Sequence, residues 1–169
     1  MEEDRKPKTQ CDGCCDLIFE TMPANRPPAI AQAFWLQATA TGEICGRGSE
    51  GHLQISAQGL ISLGVYTAFF VTDRGLWPAA PLGAVYTADG FDPNRLIVNS
   101  NGVLNYYVAP LDFNPLRGIP TPGGLARISS IIISLHTDRL THGLSIGEPN
   151  VDVFNQLTAP MCFPRVEQE

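Results

Sequence analysis

The stretch HLQISAQGLISLGVYTAFFVT, residues 52–72, decides the fold class of this protein. Residues 52–58 alternate between polar and apolar side chains, which is the period of a strand with one buried face. Residues 59–64 carry a glycine at each end and predict a turn. Val65–Thr72 is apolar on both faces, which is typical of a central strand covered on both sides. Two strands of different burial joined by a short turn predict a layered β structure.

The rest of the chain continues this pattern of short strands and turns. The further predicted strands are residues 31–41, 84–88, 96–99, 103–108, 128–136 and 151–157. Trp35 interrupts the alternation of the first of these, and an Asn-Gly turn predicts that residues 96–108 form a hairpin. The glycine-rich residues 42–51 and the proline-rich residues 109–124 are predicted to be loops. About eight strands and no convincing amphipathic helix indicate an all-β fold, either a β-sandwich or a jelly-roll or Greek-key barrel.

The composition agrees with this fold class and excludes several others. The chain has 169 residues, 16 of them glycine and 14 proline, and both residue types break helices. A chain of this length can bury a complete core without the help of disulfides. Its apolar runs are far too short to cross a bilayer, and its first residues lack the apolar segment of a signal peptide.

Charge is sparse and unevenly distributed. The net charge is −6, which argues against nucleic acid as a partner because such proteins present a basic face. The only lysines are Lys6 and Lys8, so the chain from Thr9 onward has none. Protein interfaces are depleted in lysine. A lysine-free body is therefore what a subunit covered by its neighbours would have, although compositional drift in an acidic lineage explains it equally well.

We predict two regions along the chain. Residues 1–28 form an N-terminal arm that contains cysteines and ends in a proline-rich linker, because residues 1–16 lack apolar periodicity and prolines stiffen residues 23–28. Residues 29–169 form a single β-sandwich domain.

The five cysteines are the first candidates for a function. They are Cys11, Cys14, Cys15, Cys45 and Cys162. Adjacent Cys14 and Cys15 point in opposite directions on an extended chain, which suits two different partners. The leading interpretation is that they cross-link neighbouring chains, and the alternatives are disulfides within one chain, free thiols or a metal site. The odd count favours at least one intermolecular bond or one free thiol.

Two further sets of side chains are weaker candidates. His52, His136, Asp138 and His142 could together hold zinc, copper or iron, although ordinary hydrogen-bonding histidines explain them better. The aromatic side chains of Trp35, Trp77, Tyr106 and Tyr107 could line a carbohydrate-binding face, although core or interface packing is the more common use. No nucleophile elbow, phosphate-binding loop or EF-hand spacing is present. The sequence therefore predicts no enzymatic activity and no cofactor.

Residues 51–72, GHLQISAQGLISLGVYTAFFVT, resemble a strand–turn–strand unit of secreted Greek-key β-sandwich proteins. These include the copper–zinc superoxide dismutase-like and CHRD-like domains. The resemblance implies a sandwich fold. It implies no dismutase activity, because the closely spaced metal-binding histidines of that enzyme are missing here.

The N-terminal region, with Cys14 and Cys15 beside Leu17, Ile18 and Phe19, resembles the connector of endospore-appendage fibre subunits. In that family a cysteine-bearing arm docks on the next jelly-roll subunit and is locked there by disulfides. The resemblance implies that this chain is a self-assembling structural subunit at an extracellular, cell or spore surface, and that its partners are copies of itself.

Two other functions remain open from the sequence. One is a monomeric β-sandwich that binds a glycan or another ligand. The other, less favoured, is a histidine-based metalloprotein or small barrel enzyme.

Overall fold

The computed structural model describes residues 12–82, 94–140 and 147–162, and this part of the chain is nearly all β. It contains twelve strands, of which eight are four residues or longer, and one helical turn of five residues. The strands are β1 Gly13–Ile18, β2 Glu20–Thr21, β3 Thr39–Arg47, β4 Glu50–Gln58, β5 Val65–Thr72, β6 Gly75–Pro78, β7 Leu96–Ile97, β8 Leu104–Leu111, β9 Ile119–Thr121, β10 Gly124–Ala126, β11 Ile128–His136 and β12 Val153–Pro160. No helix in the described ranges is long and apolar enough to cross a membrane.

The strands form two main antiparallel sheets. The first sheet has the order β1-β3-β4-β8. The second has the order β2-β12-β11-β5-β6, with β7 beside β5, and β9 and β10 form a separate small hairpin. The inner faces of the two sheets share one apolar core, whose fully buried side chains include Ile44, Leu53, Phe70, Ile131 and Leu157. The prediction of an all-β fold is confirmed, and of its two alternatives, sandwich and barrel, the structure is the sandwich.

The two strands that decided the fold class lie in different sheets. In β4 the apolar Leu53, Ile55 and Ala57 are buried, and the polar residues between them are exposed. Val65–Thr72 is buried on both faces except for the half-buried Val71, as its uniform apolar sequence predicted. The turn between them carries the chain from the first sheet to the second.

The sandwich has two distinct ends, which we name by their landmarks. The hairpin end holds the turn between β3 and β4, the start of β1 and the end of β12. The helix end holds the helical turn α1 Gln32–Leu36, the turn between β4 and β5, the end of β11 and the start of β12. The functional candidates divide between these two ends.

Residues 13–18, which the sequence places in an arm, form an edge strand of the sandwich. β1 pairs with β3 along its whole length, from Gly13 opposite Gly46 to Ile18 opposite Thr41. Leu17 and Phe19 pack into the apolar core. The proline-rich segment also differs from an extended linker, because Pro23–Asn25 is a 3-10 turn. The division of the chain at residue 28 into an arm and a domain stays a prediction.

Four local predictions are wrong. The predicted loop at residues 109–124 contains the end of β8, all of β9 and the start of β10. Trp35 lies in α1 rather than in a strand, and this is why it broke the alternation. Residues 42–47 belong to β3 rather than to a loop. The predicted hairpin of residues 96–108 does not form, because β7 pairs with β5 in the second sheet and β8 pairs with β4 in the first. The predicted strand at residues 84–88 lies outside the described residues.

Candidate functional site

The adjacent cysteines of β1 point to opposite faces of the first sheet, as strand alternation requires. Cys14 is exposed and forms a disulfide with Cys45, its direct cross-strand partner on β3. Cys15 is buried and forms a disulfide with Cys162, which follows the end of β12 in the second sheet.

Both disulfides lie within one chain, so these four sulfurs do not join neighbouring copies as the leading interpretation expected. The physical reason is that β1 pairs with β3 in the first sheet and faces the second sheet on its inner side. Its outward sulfur lies beside β3, and its inward sulfur reaches the chain that leaves the opposite sheet. The two bridges fasten β1 to both layers of the sandwich. Cys11 lies outside the described residues.

The Cys14–Cys45 disulfide is part of a row of side chains on the outer face of the first sheet. Cys45 is also the direct cross-strand partner of His52 on β4, so Cys14, Cys45 and His52 lie in line across three strands. Glu43 lies on the same face of β3, two residues before Cys45. Its Oε1 is 3.9 Å from His52 Nε2. The Sγ atoms of the two cysteines and a carboxylate oxygen of Glu43 are all within 4.8 Å of one another.

A groove of about 720 Å³ opens beside this row at the hairpin end. Its lining includes Cys14, Cys45 and His52 together with Arg47, Glu50 and the cis-peptide-linked Ala109–Pro110. Asp12 Oδ1 accepts a hydrogen bond of 3.0 Å from the Gly48 backbone N–H, which ties the start of β1 to the turn between β3 and β4. The row therefore borders a groove that solvent and small solutes can enter, and Cys45 in its middle is only 6% exposed.

Of the four residues predicted as a metal site, the three that the structure describes do not form one site. His52 is on the outer face of the first sheet near the hairpin end. His136 is buried in the second sheet at the helix end, where its Nε2 lies 2.9 Å from Thr67 Oγ1. Asp138 follows His136 in the turn after β11, and its carboxylate accepts a hydrogen bond from the Leu140 N–H. His142 lies outside the described residues.

Of the four aromatic residues predicted to line a binding face, only Tyr107 is strongly exposed, at 65%. Trp35 and Tyr106 belong to the core, where the Trp35 Nε1–H donates to Met22 O and the Tyr106 hydroxyl donates to Ala79 O. Trp77 is half-buried and packs against the core. Tyr107 lies beside His52 on the outer face of the first sheet, with 6.3 Å between the ring centroids.

A buried polar network connects the helix end to the second sheet. The Tyr66 hydroxyl accepts a hydrogen bond from the Ile61 N–H and donates one of 2.6 Å to Gln156 Oε1. The Gln156 amide in turn donates to Trp35 O. Burial raises the pKa of Tyr66 well above its ordinary value because it disfavours the phenolate, and the hydrogen bond from Ile61 opposes this rise only in part. Tyr66 and Gln156, which carry the side chains of this network, are fully buried, and this gives the network a structural role.

The sequence missed Glu43 as a member of the site on the outer face. The glycines of residues 42–51, GEICGRGSEG, predicted a loop. The alternation of Glu43, Cys45 and Arg47 in this segment was therefore not recognised as that of a strand. The same glycines are required inside the strand. A Cβ on Gly42 would collide with the Gln54 backbone oxygen, and one on Gly46 would collide with the Asn114 side chain. Had residues 42–47 been read as a strand, the shared face of Glu43 and Cys45 would have been evident.

No protein-family model and no curated protein matches the chain. Among solved structures, Cu/Zn superoxide dismutase from Brucella abortus is similar to it, with a TM-score of 0.44 and 12% identity, covering 89% of this chain and 100% of that one. At this TM-score the likeness carries no conclusion about fold or activity, and the sandwich is established by the strand pairing described above. The resemblance to endospore-appendage subunits finds no match in these comparisons and stays a prediction.

Proposed function

We propose that the protein is a self-assembling structural subunit of an extracellular or surface filament. The observation that carries this proposal is a concentration of exposed apolar side chains at the helix end. Five of the nine large apolar side chains that are exposed in the described residues lie there, namely Phe34, Leu63, Ile97, Leu140 and Val151. We call this set the apolar end.

One member of the apolar end, Phe34, lines a cleft. A space of about 570 Å³ lies between α1 and the two turns beside it, and Phe34 and Ile30 line one side of it. Exposed apolar patches mark interaction sites more often than single exposed side chains do. The occupant that we infer is the apolar end of a second copy. A symmetric contact between identical ends buries the apolar side chains of both copies and needs no other partner.

The absence of lysine supports the same interpretation. No lysine occurs after Lys8, so none of the described surface carries a lysine ammonium that a contact would have to dehydrate. Lysine is depleted at interfaces because its flexible, strongly hydrated side chain is unfavourable to bury.

Cys11 supplies the second contact of the proposed filament. The other four cysteines pair with one another, so within one chain no cysteine is left for Cys11. Cys11 directly precedes Asp12 in the sequence. The Asp12 carboxylate accepts a hydrogen bond from Gly48, in the turn between β3 and β4 at the hairpin end. An intermolecular Cys11–Cys11 disulfide therefore joins two copies at the end opposite the apolar end. Two different symmetric contacts at opposite ends of one subunit generate an open chain unless their geometry closes a ring.

Compartment follows from the same chemistry. Intrachain disulfides persist in oxidising surroundings and are rare where thiols are kept reduced. The two disulfides here are therefore compatible with the extracellular or surface location that the proposal requires.

The experiment compares assembly in two variants that each remove one contact. We expect the natural chain to form filaments in negative-stain microscopy, and covalent dimers without a longer ladder on non-reducing gels. Phe34→Asp combined with Ile97→Asp places charge in the apolar contact, so covalent dimers should become the largest species in sedimentation. Cys11→Ser should leave non-covalent dimers only.

Leu125→Asp is the matched control, because Leu125 is similarly exposed, at 54%, but lies on the hairpin β9–β10 away from the apolar end. It should leave the filaments intact. A natural chain that sediments as a monomer at every concentration, or filaments that persist in the Phe34 and Ile97 variant, would refute the proposal.

Exposed Tyr107 favours a second candidate function, the binding of a glycan. Gln54 is its cross-strand partner, and uncharged polar side chains such as Ser56 and Asn105 continue this face. An aromatic ring among planar polar groups suits a sugar ring, which has an apolar face and polar edges. A monomeric protein that is retarded by a polysaccharide in native gels, with retardation lost in Tyr107→Ala, would establish this function instead.

A further inference from the structure

We propose that reduction of the Cys14–Cys45 disulfide opens a site for a zinc-class divalent ion, with Cys14, Cys45 and His52 as ligands and Glu43 as the fourth donor. This inference goes beyond the proposed function and does not rest on it, because it concerns the outer face of the first sheet and not the ends of the sandwich.

The geometry that carries the proposal comes from strand register. Cys14, Cys45 and His52 are direct cross-strand neighbours in one row. Side chains at such positions on one face of an antiparallel sheet are about 4.5–5.5 Å apart at Cβ. The sheet therefore holds three donors side by side whether or not the sulfurs are bonded, because the backbone pairing of β1, β3 and β4 does not depend on the bridge.

Glu43 completes the set from the same strand as Cys45. One of its carboxylate oxygens is within 4.8 Å of both sulfurs, and its Oε1 is 3.9 Å from His52 Nε2. Donor atoms in a tetrahedral zinc site are roughly 3–4 Å apart, given metal–ligand bonds of about 2.0–2.3 Å. Small rotations of these partly exposed side chains are enough to converge on one ion. Two thiolates, an imidazole and a carboxylate form a donor set that suits zinc.

The chemistry of opening balances as follows. A dithiol reductant gives two electrons and two protons to the S–S bond of Cys14 and Cys45, and is itself oxidised to a disulfide. The bond breaks and leaves two thiols. Binding of the divalent ion then displaces both thiol protons to solvent, since the thiolate is the ligand. Reoxidation requires the ion to leave, so the metal and the disulfide exclude each other.

Its surroundings distinguish this disulfide from the other one. Each bridge joins an exposed cysteine to a buried one: Cys14 to Cys45, which is 6% exposed, and Cys162 to Cys15, which is 2% exposed. The Cys14–Cys45 bridge lines the groove at the hairpin end, where a small reductant and a hydrated ion can enter. The imidazole and carboxylate of His52 and Glu43 lie on the outer face only, so the site depends on the outward sulfurs.

The test uses cobalt(II) as a spectroscopic probe for zinc. The protein carries Cys11→Ser, which removes the odd thiol, and is reduced with a phosphine, which becomes the phosphine oxide by taking oxygen from water. We expect one equivalent of cobalt to give a thiolate-to-cobalt charge-transfer band and tetrahedral ligand-field bands. We expect none in the unreduced protein, and displacement of the cobalt by zinc. Circular dichroism in the near ultraviolet verifies that the reduced protein stays folded.

Variants assign the ligands. Cys14→Ser combined with Cys45→Ser should abolish the charge-transfer band even though Cys15 and Cys162 remain. His52→Ala and Glu43→Gln, both at exposed positions where folding is not at risk, should each weaken binding by at least about 10-fold, the effect typical even of supporting groups around a metal. Glu50→Gln is the matched control, because Glu50 is an exposed acid on the same hairpin outside the donor set, and it should leave the affinity unchanged.

Three results would overturn the proposal. They are a reduced and folded protein without the charge-transfer band, a band that survives the double serine substitution, and a reduced protein that loses its near-ultraviolet spectrum. The assembly experiments involve neither His52 nor Glu43, so failure here is distinguishable from failure of the proposed filament.

Discussion

Tyr66 is the residue on which the interior of the helix end depends. Its hydroxyl accepts a hydrogen bond from the Ile61 N–H and donates one to Gln156, so it connects the turn between β4 and β5 to strand β12. Substitution by phenylalanine keeps the ring but leaves both partners without their hydrogen bond. Leaving buried polar groups unsatisfied costs about 1–3 kcal/mol, so Tyr66→Phe should lower the free energy of unfolding by this amount at neutral pH.

The raised pKa of Tyr66 also predicts how stability depends on pH. Above a pH of about 10, tyrosine in the unfolded chain loses its proton, whereas buried Tyr66 keeps it. The unfolded state then binds fewer protons than the folded state, so the free energy of unfolding falls as pH rises, by up to about 1.4 kcal/mol per unit from this residue.

Denaturant titrations between neutral and strongly alkaline pH measure this dependence. The alkaline slope should be smaller in Tyr66→Phe. The control Tyr107→Phe removes an exposed hydroxyl and leaves Tyr66 in place, so the slope that Tyr66 causes should remain. Equal slopes in the two variants would show that burial of Tyr66 is not the cause.

Trp35 illustrates what a single residue can and cannot indicate. It was the one misfit in the alternation of residues 31–41, and the structure places it in α1 with no exposed surface. A misfit in a periodic pattern marks a change of backbone conformation. It does not say what the new conformation is, because one helical turn is too short to establish a period of its own.

At the level of elements, β1 is fastened by two disulfides whose cysteines are separated by very different lengths of sequence. The Cys14–Cys45 disulfide spans 31 residues of sequence, and the Cys15–Cys162 disulfide spans 147. On the chain-entropy model a bridge stabilises by restricting the unfolded chain, by about 4 kcal/mol for the shorter loop and about 5 kcal/mol for the longer.

We therefore expect removal of the inner bridge to destabilise the protein more than removal of the outer one. The variants Cys15→Ala with Cys162→Ala and Cys14→Ser with Cys45→Ser, both in a Cys11→Ser background, provide the comparison by guanidinium unfolding. Loss of Cys15 from the core adds to the effect of the inner pair. The opposite order of stabilities would indicate that β1 is held chiefly through β3.

The predictability of an element depended on what surrounds it. Val65–Thr72 and Ile128–His136 have the bounds that their sequences predicted, because central strands are rich in apolar and β-branched residues on both faces. The second half of β3 was not predicted as a strand. Its glycines are required because Gln54 and Asn114 approach the backbone closely, and they do not mark a turn. The failed hairpin at residues 96–108 did contain its predicted turn, with the Gly102 N–H donating to Asn99 O. This turn connects β7 in the second sheet to β8 in the first sheet, and does not join two neighbouring strands of one sheet.

At the level of the whole molecule, the two ends differ in character, and this predicts the thermodynamics of association. The apolar end presents exposed aliphatic and aromatic side chains, and Arg47 and Glu50 stand at the hairpin end. Contacts between apolar surfaces weaken on cooling and strengthen in sulfate salts. Contacts between charges weaken with added salt.

We expect Cys11→Ser protein, which retains only the apolar contact, to associate less at about 5 °C than at about 25 °C. It should associate more strongly in ammonium sulfate and keep its association in sodium chloride. Sedimentation velocity across these conditions measures the effect, and Phe34→Asp in the same background should remain monomeric in all of them. Dissociation by sodium chloride would instead indicate a charge-driven contact.

The sequence by itself determined that this chain is all-β, and it left both a sandwich and a barrel open, because alternation and uniform apolarity are properties of neighbouring residues that do not depend on which strands pair. It also determined that Cys14 and Cys15 face opposite ways. Only the tertiary structure decided which sulfurs they meet, and that Cys45, His52 and Glu43 form one row with Cys14. Strand register and sheet membership determine these contacts. Both depend on interactions between residues up to 147 positions apart in the sequence, and no local sequence pattern contains that information.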